Sequence, residues 1–333
     1  MNNKARFKFA ILTLSLVLVA CSGGSAEAGC PEIENREINV VATTPMIGEF
    51  VSQVGGDNIN LTVLMPAEVD PHNYDPSPQD AGKIADADLV FYTGLRYEPS
   101  ALVKLLENSA CSSEVLAEVG ENVFPIEFKE EGHDDHDEEG HDDHDEEGHD
   151  DHEGHDHGAY DPHFWFDPNR VSYAAEYIES KLVEFDPSNA SDYETAGKAY
   201  VTELKGLVSQ VSELISTIPS QNRKLITTHE SLGYLEAKFG LEVLSTIIPS
   251  VDSANEISPS QLVGVIDVIE DNNVKVIFIE AEAPSVYADT IVAETGIKAV
   301  EGLWVETLKE GQSYPEFLFE AVELIVENLT NTD

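Results

Sequence analysis

Basic residues are scarce in this chain: 18 lysines and arginines stand against 64 aspartates and glutamates over 333 residues, a formal net charge of -46. That shortage excludes nucleic acid and anionic headgroup surfaces as partners, since both are negative and would be repelled. Cations are what such a chain attracts. Cysteine is scarce too, with Cys21, Cys30 and Cys111 and no pair at zinc-finger spacing, which excludes a cysteine-built metal site. After residue 20 no apolar run is long enough to span a bilayer. No Gly-x-Ser-x-Gly and no P-loop occur, so neither an α/β-hydrolase nucleophile nor an ATPase is encoded. His229-Glu230-Ser231-Leu232-Gly233 lacks the second histidine of a zincin helix. The chain therefore does not read as an enzyme, although histidines and a metal-bound water could in principle hydrolyse a substrate. An apolar share of 41% is enough for real cores and argues against global disorder.

At the N-terminus, Lys4, Arg6 and Lys8 precede an apolar run from Phe9 to Ala20, the pattern of a signal peptide. The run ends in Leu18-Val19-Ala20-Cys21, which resembles a bacterial lipobox. Residues 1–21 are expected to be a lipoprotein signal with Cys21 as the lipidated residue, and 22–36 a flexible tether. The mature protein would then be exported and anchored by lipid to the membrane, on the periplasmic or cell-surface side. An exported chain permits a disulfide between Cys30 and Cys111.

From residue 37 short apolar strands alternate with amphipathic helices. Ile38 to Thr43, Leu61 to Met65 and Leu89 to Tyr92 read as strands, with helices at Ile47 to Val54 and Pro99 to Leu106. Val171 to Val183 reads as a helix ending before Asp186-Pro187. Asp192 to Ile218 then carries Tyr193, Ala196, Tyr200, Leu204, Leu207, Val211 and Leu214 at helical spacing. Beyond Pro219, strands are expected at Lys224 to Thr227, Leu241 to Thr246, Val274 to Ile279 and Ala299 to Leu303. Helices Leu232 to Phe239, Pro259 to Asn272 and Ser285 to Thr295 fall between them. The pattern predicts an α/β fold of two Rossmann-like lobes with parallel sheets, 37–185 and 219–333, joined by one long helix at 190–218. Ligands of such sheets sit beyond the carboxyl ends of strands.

Histidine is the informative residue. Eleven occur, and eight of them (His133, His136, His141, His144, His149, His152, His155 and His157) lie in a periodic Glu-Gly-His-Asp-Asp-His-Asp-Glu segment. That segment has no apolar residue to pack, so 130–158 reads as a loop, and its imidazoles and carboxylates make it an accessory metal-binding stretch. Only His72, His163 and His229 remain, and each follows a strand or opens a loop. Asp70-Pro71-His72-Asn73-Tyr74-Asp75 stiffens the first with proline. Asp161-Pro162-His163-Phe164-Trp165-Phe166-Asp167 walls the second with aromatics, and Thr227-Thr228-His229-Glu230-Ser231 puts the third at a strand end. Asp75, Asp161 and Asp167 stand close enough in sequence to orient the rings.

With these motifs in this order, the chain from about Ile38 onward resembles the zinc/manganese substrate-binding lipoproteins of ABC transporters (the cluster A-I, or cluster 9, family). The Asp-Pro-His-Phe-Trp stretch and the histidine-rich insertion before it are the most specific points of likeness. The resemblance implies two four-stranded lobes, a rigid connecting helix, and a metal in the cleft held by His72, His163, His229 and, at the fourth, acidic position, Glu306. It gives Glu280, in Phe278-Ile279-Glu280, a structural role beside the site. It also implies partners, a permease and its ATPase.

Three imidazoles with a carboxylate suit tetrahedral zinc, whereas manganese prefers oxygen, so zinc is expected over manganese. Ligand histidines must be neutral, so binding is expected to weaken as pH falls through about 6.5. The competing readings are a manganese-specific component and a surface adhesin or metal buffer of the same fold.

Overall fold

The computed structural model describes residues 30, 33, 36–128, 160–250, 256–283 and 285–330. Cys21 and the histidine-rich segment 130–158, with its eight histidines, lie outside the described residues.

The first half runs β1 (Ile38–Ala42), α1 (Pro45–Gly55), β2 (Ile59–Val63), α2 (Pro78–Ala85), β3 (Leu89–Tyr92), α3 (Ser100–Ser109) and β4 (Leu116–Glu118). Two helices follow, α4 (Pro168–Phe185) and α5 (Ala190–Ser216). The second half runs β5 (Lys224–Thr227), α6 (Gly233–Phe239), β6 (Glu242–Thr246), α7 (Pro259–Asn272), β7 (Val276–Glu280), α8 (Ala288–Thr295), β8 (Lys298–Leu303) and α9 (Tyr314–Thr330). Each half makes a four-stranded sheet, ordered β2-β1-β3-β4 and β6-β5-β7-β8. Every pairing within them is parallel. Two α/β sheets and a long helix between them are what the sequence pattern predicts. The pattern did not single out α2, β4 or α9; β4 is only three residues long, too short for a periodic signal.

Local chemistry sets the element ends. Thr44 caps α1 by accepting from the Ile47 N–H, and Pro45 takes the first turn, where its missing N–H is not needed. Asp167 and Pro168 open α4 in the same way, with Asp167 accepting from the Asn169 N–H. Alternation along the strands splits the core. Val40 and Ala42 face one cluster while Val41 faces another with Leu64, Val90 and Leu102. In the second sheet Val276 and Phe278 join the first cluster, and Ile277 and Ile279 pack on Val265, Ile269 and Ile291.

The largest cluster is shared. It runs from Ile38 and Phe50 through Ile178, Leu204 and Val211 to Phe317 and Val322. At 27 residues α5 is about 40 Å long at the usual rise. It packs on α4, α1 and α9, and α9 also touches β7 and β8. Its buried stripe is Tyr193, Gly197, Tyr200, Val201, Leu204, Leu207, Val211 and Ile215. Ala196 and Leu214, expected on that stripe, are only half-buried, and Gly197 and Ile215 beside them take the covered positions. A disulfide joins Cys30 to Cys111, just past α3. Among the described residues no helix is long and apolar enough to cross a membrane.

Candidate metal centre

Loops at the carboxyl ends of β2, β5 and β8 supply three of the four donors, as the switch-point rule leads one to expect, and the fourth, His163, enters just ahead of α4. His72 follows β2 in a single 3-10 turn, Pro71–Asn73, where Asp70 accepts from its backbone N–H at 3.0 Å. His163 precedes the turn Phe164–Phe166, all three of whose side chains are fully buried. His229 follows β5, and Glu306 follows β8. The four offer ligand atoms that all lie within 4.8 Å of one another. His163, His229 and Glu306 have no exposed surface, and the His72 side chain retains 4%.

Carboxylates behind two of the rings decide which nitrogen faces inward. Asp161 sits 2.8 Å from His163 Nδ1 and also accepts from its backbone N–H at 2.8 Å. Glu280 engages His229 at both Nδ1 and the backbone N–H. A carboxylate accepts, so each Nδ1 carries a hydrogen, and each Nε2 is the nitrogen left facing the centre, where its lone pair becomes available to an ion once its proton is lost. Gly233 at the start of α6 permits this packing, because a Cβ there would stand 2.6 Å from Asp161 Oδ2.

The inward nitrogens surround one oxygen. Glu306 Oε1 lies 2.6 Å from His229 Nε2, 3.2 Å from His163 Nε2 and 3.5 Å from His72 Nε2. His72 Nε2 and His229 Nε2 are nevertheless buried without a properly directed hydrogen bond, despite the short approach of His229 to Glu306. Close approach without hydrogen-bond alignment is what atoms show when they are arranged about a common cation. Donors at ~2.0–2.1 Å from a tetrahedral zinc would stand ~3.3 Å apart. Two of the three nitrogen–oxygen separations match that edge, and the His229 contact is tighter. Glu306 Oε2 is turned away and accepts from Tyr97 Oη at 2.9 Å.

The electrostatics fit a cation-accepting pocket. Burial lowers the His163 imidazolium, but the Glu306 charge and the Asp161 hydrogen bond outweigh it and raise it to about 9. Burial likewise opposes His229, and Glu280 and Glu306 together carry it well above the ordinary value. Burial would raise Glu306, yet the three histidines hold it well below the usual carboxylate range. Burial pushes the Tyr97 phenol well up, so it stays a hydrogen-bond donor. Proton competition for the rings therefore reaches far above the pH of 6.5 expected from an unperturbed histidine.

The structure brings His72, His163, His229 and Glu306 to one point and sets Asp161 and Glu280 on the rings. It does not bring Asp75 or Asp167 there. Asp75 is exposed, and Asp70 holds the His72 loop in its place. Asp167 caps α4 and lies near Arg170. Three further contributors were not given these roles by the sequence, although Trp165 was read there as part of an aromatic wall. Tyr97 reaches Glu306 across 209 positions. Trp165 Nε1 donates to the Val305 carbonyl at 2.8 Å, steadying the Glu306 loop. Glu282 accepts the backbone N–H groups of Val305, Glu306 and Thr307. Burial and then the Glu306 charge push Glu282 up to about 8, against the pull of those amides. Tyr97 lies just past β3 at the switch point, where the strand-end rule could have found it.

A buried cluster of three imidazoles and one carboxylate, drawn from loops of two parallel sheets, is a group that could hold a metal ion. Residues 40–328 match the model of the ZnuA family, described as zinc-uptake complex component A, periplasmic, and the chain belongs to that family. It is the substrate-binding component of a metal ABC importer. The high-affinity zinc uptake system protein ZnuA of Bacillus subtilis is 30% identical over 329 residues, covering 96% of each chain. The manganese ABC transporter substrate-binding lipoprotein scaA of Streptococcus gordonii is 27% identical, covering 98% of this chain and 99% of its own. Among solved structures, the periplasmic zinc binding protein TroA from Treponema pallidum superposes with a TM-score of 0.73 at 22% identity. That match spans 89% of this chain and 100% of the other.

Proposed function

We propose that the chain is the extracytoplasmic, high-affinity zinc-binding component of its importer, with His72, His163, His229 and Glu306 as the ligands. The observation that carries this is the convergence of three imidazole Nε2 atoms on one carboxylate oxygen, with no second carboxylate among the four donors. Nitrogen-rich donor sets favour zinc over manganese. The site captures the ion outside the cell and presents it to a permease driven by a separate ATPase. Lipid on Cys21 would hold the protein at the membrane. The histidine-rich segment 130–158 would serve as an accessory cation collector, supported by its imidazole content.

Competitive zinc titration, with manganese in parallel, tests the reading on a soluble form starting after Cys21, on one lacking 130–158, and on His163→Ala. One tight zinc site is expected that survives loss of the segment and collapses in His163→Ala. Manganese bound as tightly as zinc would replace the metal assignment with the one in the scaA name. Tight binding that vanishes with 130–158 yet tolerates His163→Ala would make the protein a histidine-rich buffer instead. Membrane retention that persists in Cys21→Ala would refute the anchor.

A further inference from the structure

We propose that Glu282 is a positioning residue that sets the metal ligand Glu306 in place before any ion arrives. The proposal rests on the zinc-capture reading above and deepens it. Glu306 lies beyond the end of β8, where no strand neighbour takes up the backbone donors. Three consecutive amides there converge on Glu282 Oε1: Val305 at 3.1 Å, Glu306 at 3.0 Å and Thr307 at 3.2 Å. The Val305 amide also lies 3.3 Å from Oε2. Among the described residues no other acceptor is recorded for these three N–H groups.

A carboxyl side chain suits this task because its oxygens together offer several lone-pair sites, enough for three successive amides on one residue whether or not it is ionised. Gathering three successive amides on one atom fixes the backbone on both sides of Glu306, and with it the direction in which its side chain leaves. The carbonyl side of the loop is held separately, by Trp165 on Val305 and by Tyr97 Oη near the Glu306 carbonyl. The amide side depends on Glu282. The placement also makes the end of β7 a shared fixture: Glu280 orients His229, and two residues on Glu282 sets the loop of Glu306. One strand end thus registers two donors from different loops against each other.

The test uses cobalt(II) alone as a spectroscopic probe and zinc by chelator competition, on the mature chain and on Glu282→Ala, Glu282→Gln, Glu306→Gln and Glu282→Ala/Glu306→Gln. Visible cobalt absorption reports coordination, which a merely stabilising residue would leave unchanged. Glu282→Ala is expected to move the cobalt spectrum toward that of Glu306→Gln and to lower zinc affinity about tenfold or more. Glu282→Gln keeps an oxygen acceptor and is expected to retain the native spectrum. In the double variant the alanine should add less than about twofold to the loss from Glu306→Gln, because both act through one carboxylate. Glu282→Asp retracts the acceptor by one methylene and serves where the alanine variant does not fold; it should shift the spectrum the same way. A native cobalt spectrum in Glu282→Ala, or in Glu282→Asp where that variant stands in, overturns the proposal, as does a zinc loss that adds fully to that of Glu306→Gln. Absence of stoichiometric zinc or cobalt binding by the unaltered chain overturns the capture reading and this inference together, whereas tight native binding with an indifferent Glu282→Ala sinks the inference alone.

Discussion

Lowering the pH from 8 to 6 is expected to weaken zinc binding by about a hundredfold or more, far more than an unperturbed histidine would allow. The metal-free site holds His163 at about 9 and His229 well above its ordinary value, because buried carboxylates face both rings. The His163 ring is then protonated across that pH range, so an incoming ion has to displace its proton, and the upward shift of His229 acts in the same direction. A displaced proton lowers apparent affinity about tenfold per pH unit, so His163 alone gives about 10² over two units, or roughly 3 kcal/mol, and His229 adds to it. One ring titrating at the ordinary 6.5 would lose only about fourfold over the same range. Glu306 is held well below the carboxylate range and releases no proton of its own. The assay is competition against a chelator of known pH dependence at constant ionic strength. It is paired with calorimetry in buffers of different ionisation enthalpy, where release of at least about one proton per ion is expected at pH 7. A slope of log affinity against pH below about one, or release of fewer than one proton, would refute the argument that carboxylates behind the rings set their protonation.

The same groups act oppositely on the metal-free fold. His163 is raised from 6.5 to about 9, so its stabilisation is full below about pH 6.5 and fades as pH rises through 9, worth up to about 3 kcal/mol. Thermal unfolding with chelator present should therefore show a falling Tm between pH 6.5 and about 9.5 that zinc abolishes; a flat chelated profile would contradict it. Replacing Cys30 and Cys111 by serine opens a closure of 81 positions and is expected to remove up to about 4 kcal/mol of stability. Zinc affinity should be unchanged, because neither cysteine touches the site; a coupled loss of affinity in the titration would show otherwise.

The three isolated histidines could be read from the chain because the residue is otherwise confined to 130–158, and each sits beside proline, aromatics or a strand end. Glu306 had no such signal. In a chain with 64 acidic residues one carboxylate is indistinguishable from the rest, and only the family resemblance pointed to it. Asp70 and Asp75 flank His72 equally well in sequence, and the turn at Pro71–Asn73 gives the contact to Asp70. Glu280 and Glu282 look alike in Phe278-Ile279-Glu280-Ala281-Glu282. One meets a ring and the other a run of amides because β7 ends between them.

By itself, the sequence determined the alternation of strands and helices, the helix caps and the stock of imidazole donors, since these depend on residue type and near-neighbour spacing. The tertiary structure decided which carboxylate closes the site, which nitrogen of each ring faces inward and how far the rings are raised from their ordinary titration. Those depend on burial and on contacts across 51, 143 and 209 positions, for Glu280 on His229, Glu306 on His163 and Tyr97 on Glu306. Distances of that kind exist only once two sheets and their helices have closed on one core.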